Sequence, residues 1–145
     1  MTKLLPQIAT TDSEIENCFD VMAELRTHLE RNTFLKTVRD MEQQGFQLAY
    51  LKDNDNVVAV AGYRIASNMF LGKHLYIDDI VTSQKVRSRG YGDAMYKWLR
   101  EKAKNTQCKY IHLDSAVHRG DTHRFYFRQG LSISSFHFRE KLDDL

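Results

Sequence analysis

The chain has little proline, little cysteine and no long apolar run. Pro6 is its one proline, and no repeat, low-complexity tract or linker interrupts the 145 residues. The two cysteines, Cys18 and Cys108, form no metal or redox spacing. Cys18 falls in an apolar helical pattern and reads as a reduced core thiol. No segment approaches the roughly 20 apolar residues of a membrane span. The start, Met1-Thr2-Lys3-Leu4-Leu5-Pro6, holds too short an apolar run for a secretory signal. These absences set the expectation of a cytoplasmic protein without a membrane partner. A net charge of +2 lacks the excess that points to nucleic acid. The cations are unevenly placed, however: Lys85, Arg87, Arg89, Lys97, Arg100, Lys102 and Lys104 crowd one region. They lack the interleaved exposed aromatics that stack bases.

What is present is ordinary globular usage, 42% apolar and 28% charged, in a length that suits one domain over residues 1–145. Residues 4–10 read as a short strand. Thr11-Asp12-Ser13-Glu14 is a capping-box pattern, and Ile15, Cys18, Phe19, Met22, Leu25 and Leu29 continue it at helical spacing. A second helix is expected from Asn32 or Thr33, ending before Gly45. Residues 46–52 and 57–66 read as a hairpin around Asp53-Asn54-Asp55-Asn56. A loop over 67–73 and a strand over 74–82 complete an antiparallel meander. A helix over 91–103, a buried strand over 110–113, a helix over 118–128 and a last alternating strand over 131–139 follow. The expected class is α/β with a mixed sheet and one parallel β-α-β unit.

The chemistry concentrates in Arg87-Ser88-Arg89-Gly90-Tyr91-Gly92-Asp93, between the strand ending at Thr82 and the next helix. Two glycines let backbone approach a ligand without a Cβ clash. The helix end leaves unpaired N–H groups and partial positive charge, a ready anion site. Arg87 and Arg89 add forks suited to phosphate. Met95 stands where a dinucleotide fingerprint needs its third glycine, and no Gly-Lys-Ser/Thr of a nucleotide P-loop is present. A pyrophosphate is a natural guest of such a turn.

Arg87-Ser88-Arg89-Gly90-Tyr91-Gly92 resembles the Gln/Arg-x-x-Gly-x-Gly/Ala signature of the GNAT superfamily of N-acetyltransferases. Ile77-Asp78-Asp79-Ile80-Val81-Thr82 resembles the strand that precedes the signature. His123-Arg124-Phe125-Tyr126-Phe127-Arg128-Gln129-Gly130-Leu131 resembles the family's later helix. The resemblance covers residues 46–141. It implies a single α/β (α+β) domain, a mostly antiparallel mixed sheet of six to seven strands flanked by about four helices. It also implies transfer of acetyl from acetyl-CoA to a primary amine, and commonly a homodimer; no ligand set in the sequence demands a metal.

By the same resemblance, the pantetheine arm lies beside Ile80, Val81 and Thr82, and the pyrophosphate is cradled by Arg87, Ser88, Arg89, Gly90, Tyr91, Gly92 and Asp93. Tyr126 is the general acid for the departing thiolate, placed so that it also touches the cofactor. A phenol is a feasible donor to a thiolate, with reference pKa values of about 10 and about 8.5. The amine must lose a proton before attack. Asp78 and Asp79 are the carboxylates at hand, and strand alternation sends them to opposite faces. Direct base action, a water-mediated role and attraction of a cationic substrate remain open for them. Where the family commonly carries an Asn against the pantetheine, this chain has Ala116, leaving Ser115 as the neighbouring polar group. His112, His118 and His123 lack a compact metal spacing and read as solvated or structural. Val117 to Tyr126 is similar to aminoalkylphosphonate and related small-amine acetyltransferases. A small-molecule amine is therefore the expected partner. A peptide amine acceptor and a non-catalytic coenzyme A sensor are the alternatives.

Overall fold

The computed structural model describes residues 4–143 apart from Ser88. The fold is α+β with one mixed sheet. The elements are β1 (Gln7–Ile8), α1 (Asp12–Glu16), α2 (Phe19–Leu25), α3 (Arg31–Glu42), β2 (Phe46–Asp53), β3 (Asn56–Asn68), β4 (Gly72–Thr82), a 3-10 turn (Gln84–Val86), α4 (Tyr91–Asn105), β5 (Tyr110–Leu113) and α5 (Gly120–Arg128). Strand order follows chain order, antiparallel from β1 to β4 and parallel between β4 and β5. The chain divides into two compact units at Leu113/Asp114. The first holds the whole sheet and α1 to α4, the second holds α5.

The capping box forms as its sequence dictates. Thr11 Oγ1 accepts the Glu14 N–H at 3.1 Å, and Glu14 Oε1 accepts the Thr11 and Thr10 N–H groups at 2.9 Å each. The expected long first helix is broken: the Cys18 N–H bonds Ile15 three residues back, and the helical backbone ends at Arg26. Behind the cap, Ile15, Cys18, Val21 and Met22 join Phe34 and Val38 of α3 against Phe46, Leu48 and Val60 of the sheet. Burial pushes the Cys18 thiol up to about 12, which makes it the inert core thiol its pattern indicated. On α4, Met95, Tyr96 and Leu99 are buried, and Trp98 meets Tyr63 of β3 edge-on at 6.0 Å.

The hairpin after β2 turns on Asn54 and Asp55, both with positive φ, as a two-residue primed turn requires. The loop expected over residues 67–73 is mostly strand, with Asn68 paired to Gly72. Asn68 Oδ1 accepts the Leu71 N–H at 2.6 Å and Gly72 takes φ +71, so three residues suffice for the turn. The strand expected over residues 131–139 is absent, and the sheet among the described residues has five strands, not six to seven. Alternation alone does not make a strand, because ladder bonds need a partner. Ile133, Phe136 and Phe138 are exposed.

Thr11→Ala should cost about 1 kcal/mol and lower Tm by roughly 3 °C. Hydrogen bonds from Thr11 and Thr10, then from Tyr50, hold the Glu14 carboxyl at about 2, against 4.5 when unperturbed. A depressed carboxyl stabilises above pH 4.5 and loses that contribution as pH falls through about 2. The Tm gap between wild type and Glu14→Gln should therefore be largest near neutrality and close towards pH 2, as calorimetry across that range would show.

Candidate active site

The site is built around a β-bulge in β4. Gly62 pairs with Asp79 and Tyr63 with Ile77, which leaves Asp78 as the extra residue. Gly62 is required there by close approach: an added Cβ would strike the Phe46 ring and lie 2.7 Å from Asp79 Oδ2. Asp79 binds Arg26 Nε at 2.7 Å, and Arg26 Nη2 donates to the Asp78 carbonyl at 2.9 Å. Asp78 binds Arg64 Nε at 3.0 Å, and the Arg64 guanidinium lies over the Phe46 ring. The two aspartates are thus not sent to opposite faces. The bulge breaks alternation and turns both towards arginines on the face that carries Phe46. Burial raises the Asp78 carboxyl from its ordinary value, with Arg64 moderating the shift.

Pairing between β4 and β5 ends at Ile77 with Leu113. Beyond it, Asp79 to Thr82 are laddered to β3 through Gly62, Ala61, Val60 and Ala59. Among the described residues of this unit no strand lies on the other edge. Ile80, Val81 and Thr82 are half-buried along that edge.

The glycine turn follows. Gly90 is the N-cap of α4 at φ +82 and offers no side-chain cap, which leaves the first N–H groups of a 15-residue helix to another acceptor. Arg87, Arg89 and Gly90 are exposed, and Ser88 lies outside the described residues. Gly92 is half-buried in the first turn, and Asp93 pairs with Lys97 at 2.9 Å. The Tyr91 side chain is buried and its hydroxyl donates to Asp53, which raises its pKa, with Arg89 beside it pulling the other way. Tyr91 therefore presents only its backbone to the turn. The neighbouring cations are also engaged on their own helix: Arg100 lies over Tyr96 and Lys102 over Trp98.

In the second unit, Tyr126 sits half-buried on α5, edge-on to Phe125 at 5.6 Å, and Ser115 is half-buried before the helix. The His123 Nε2–H donates to the Ala116 carbonyl at 2.8 Å. In the first unit, His112 Nε2 lies 2.9 Å from His74 Nδ1. Two of the three histidines considered for a metal thus make structural contacts. The sequence reasoning missed Arg26, Arg64 and Asp53. Only the pairing of Asp78 and Asp79 with cations could have pointed to the arginines.

A strand edge that is unpaired among the described residues of its unit leads into a glycine-capped helix. The model of the Acetyltransferase (GNAT) family matches residues 11–131, and the chain belongs to that family. It is 31% identical over 133 residues to the uncharacterized N-acetyltransferase YhdJ of Bacillus subtilis, covering 90% of this chain and 94% of that protein. A shorter match, 30% identical over 66 residues, is to the aminoalkylphosphonate N-acetyltransferase of Salmonella typhimurium, covering 46% of this chain and 43% of that one. The aminoglycoside N-acetyltransferase AAC(6')-Iy, solved in complex with CoA, superposes at TM-score 0.83 with 10% identity over 97% of both chains.

Gly62→Ala should cost about 1–3 kcal/mol, since the Phe46 ring or Asp79 must move to admit a methyl group. Chemical denaturation would measure the loss. A variant as stable as wild type would show that the bulge tolerates a Cβ.

Proposed function

We propose that the chain, read as one catalytic domain over residues 1–145, transfers the acetyl group of acetyl-CoA to the primary amine of a small molecule by direct attack. The observation that carries this reading is the β4 segment from Asp78 to Thr82, whose second edge is unpaired among the described residues of its unit, running into the N-terminus of α4, which no side chain caps. Acetyl-CoA is the cosubstrate. Its pantetheine arm takes the edge beside Ile80, Val81 and Thr82, where backbone near Val81 polarises the thioester carbonyl. Its pyrophosphate takes the turn at Arg87 to Asp93, helped by Arg87 and Arg89. The family match running from residue 11 to 131 crosses the boundary at Leu113/Asp114 and supports the single-domain reading.

Asp78 is the better-placed base of the two carboxylates. Asp79 is committed to Arg26, whereas burial raises the Asp78 carboxyl, the direction that favours taking a proton from an ammonium or through a water. The amine nitrogen attacks the thioester carbon, the C–S bond breaks, and Tyr126 donates its proton to the departing thiolate. Ser115 supplies a polar contact to the pantetheine. The match to an aminoalkylphosphonate N-acetyltransferase supports a small-amine acceptor over a peptide. A cytoplasmic location and a homodimer complete the reading.

Acetyl-CoA at about 100 times its Kd should stabilise the protein by about 2.7 kcal/mol, read as a thermal shift. Arg89→Ala should weaken that binding while leaving kcat nearly unchanged. No shift at millimolar acetyl-CoA would refute the reading. Turnover against a panel of amines including aminoalkylphosphonates, aminoglycosides and a peptide N-terminus then identifies the acceptor class.

For a raised Asp78 acting as base, kcat/KM should fall as pH drops through its pKa. Asp78→Asn should remove that acid limb and lower kcat by roughly 100-fold. Tyr126→Phe should slow turnover mainly in kcat. An unaltered pH profile in Asp78→Asn would exclude it as the base.

A further inference from the structure

The last turn of α2 holds both ends of the β4 segment that β5 does not flank. At its start, Arg26 donates from Nη2 to the Asp78 carbonyl at 2.9 Å and from Nε to Asp79 Oδ1 at 2.7 Å. Just past its end, the Gln84 N–H donates to Glu24 Oε1 at 2.8 Å. Glu24 and Arg26 flank Leu25, and Arg26 is the C-cap residue of α2. A strand laddered on both sides has its line set by backbone bonds. The segment from Asp78 to Thr82 has β3 on one side and, at its two ends, these two side chains. The planar guanidinium grips a carbonyl and a carboxylate at once, a two-point hold that an ammonium does not reproduce.

We propose that Glu24 and Arg26 are positioning residues for acetyl transfer, setting the line of the β4 edge and hence where the thioester sits against Asp78. The proposal rests on the reading of that edge as the seat of acetyl-CoA. Neither side chain touches the reacting atoms. Arg26 acts through Asp79 and the Asp78 carbonyl, and Glu24 acts through the Gln84 amide. The Arg26 side chain is 44% exposed, and Val21 and Met22 anchor α2 in the core independently of it. Its loss therefore loosens the edge without emptying the core. The charged groups facing the two aspartates are Arg64 from β3, Arg26 from α2 and each other.

The test compares full-length wild type with Arg26→Ala, Arg26→Lys, Glu24→Ala and Glu24→Gln, using acetyl-CoA as the probe and the best amine of the panel as acceptor. Without ligand, Arg26→Ala and Glu24→Ala should raise hydrogen exchange in residues 78–84 about tenfold, while peptides from β2 and α4 exchange as in wild type. Their kcat should fall at least about tenfold, with KM for acetyl-CoA moving less than about threefold, because small misplacement costs rate more than binding. Arg26→Ala should also move the acid limb of kcat/KM to higher pH, since losing a nearby cation favours the protonated carboxyl of Asp78. Arg26→Lys keeps that charge and should restore the limb but not kcat. Glu24→Gln still offers an oxygen to the Gln84 N–H and should behave as wild type. Folded alanine variants with wild-type exchange and kcat would overturn the proposal. Wild-type protein whose residues 78–84 exchange no more slowly with acetyl-CoA would overturn the edge reading itself, and with it the thioester role. The ligand-free variants distinguish the two failures.

Discussion

One irregular residue governs the candidate site. Asp78 is the extra residue of a β-bulge, and a bulge bends its strand and increases local twist. β4 keeps its parallel partner up to Ile77 and has none among the described residues of its unit from Asp78 to Thr82. An unpaired strand edge is normally a hazard, because it offers N–H and C=O groups to any passing strand. Here the exposed length is short, it begins at two charged residues, and it stops at the buried Ser83, whose N–H bonds Val58 at 2.9 Å. These features suit a narrow ligand better than a second sheet.

The bulge also sets the electrostatics. Regular alternation would have separated Asp78 from Asp79 and left one in an apolar layer. The bulge instead puts both within reach of guanidinium groups, and burying a carboxylate is tolerable only with such partners. The two pairs are unequal. Arg26 meets Asp79 at 2.7 Å with 12% of the aspartate side chain exposed, whereas Arg64 meets Asp78 at 3.0 Å and burial still prevails over it. One carboxylate is thereby fixed as an anchor, and the other keeps a raised affinity for a proton. Gly62 belongs to the same arrangement, since it makes room for the Phe46 ring and the Asp79 carboxylate together.

Much of this was legible in the residues. The Thr11 to Glu14 box, the Asn54-Asp55 turn and the strand over 110–113 formed where local chemistry placed them, although that strand is half-buried with Tyr110 exposed rather than buried as expected. The helix expected after the two-glycine turn starts at Tyr91, with Gly90 as its N-cap. What was not legible depended on partners distant in sequence. A register shift between Gly62 and Tyr63 leaves no trace in either strand alone, so period-2 reasoning misassigned the faces of Asp78 and Asp79. Arg26 and Arg64 carry no local signal of their role; the fold brings one from the end of α2 and the other from β3 to the aspartates. The alternation over residues 131–139 was read as a strand because periodicity reports which side chains share a face and not whether a neighbouring edge exists.

The turn before α4 shows how a flexible sequence can hold a fixed shape. Glycines give the backbone access to a ligand and also give it conformational freedom, which binding would have to remove. Here the first helical residue removes much of that freedom in advance. Tyr91 is buried, and its hydroxyl is held by Asp53 at the end of β2, beside the tight Asn54-Asp55 turn. The helix start is thus fastened to the sheet within one residue of Gly90. The exposed part of the turn is short and pivots on a left-handed glycine that no side chain caps. On the proposed reading, a donor array tied down at one end and open at the other would lose little entropy on docking an anion, and Arg87 and Arg89 would add charge to it.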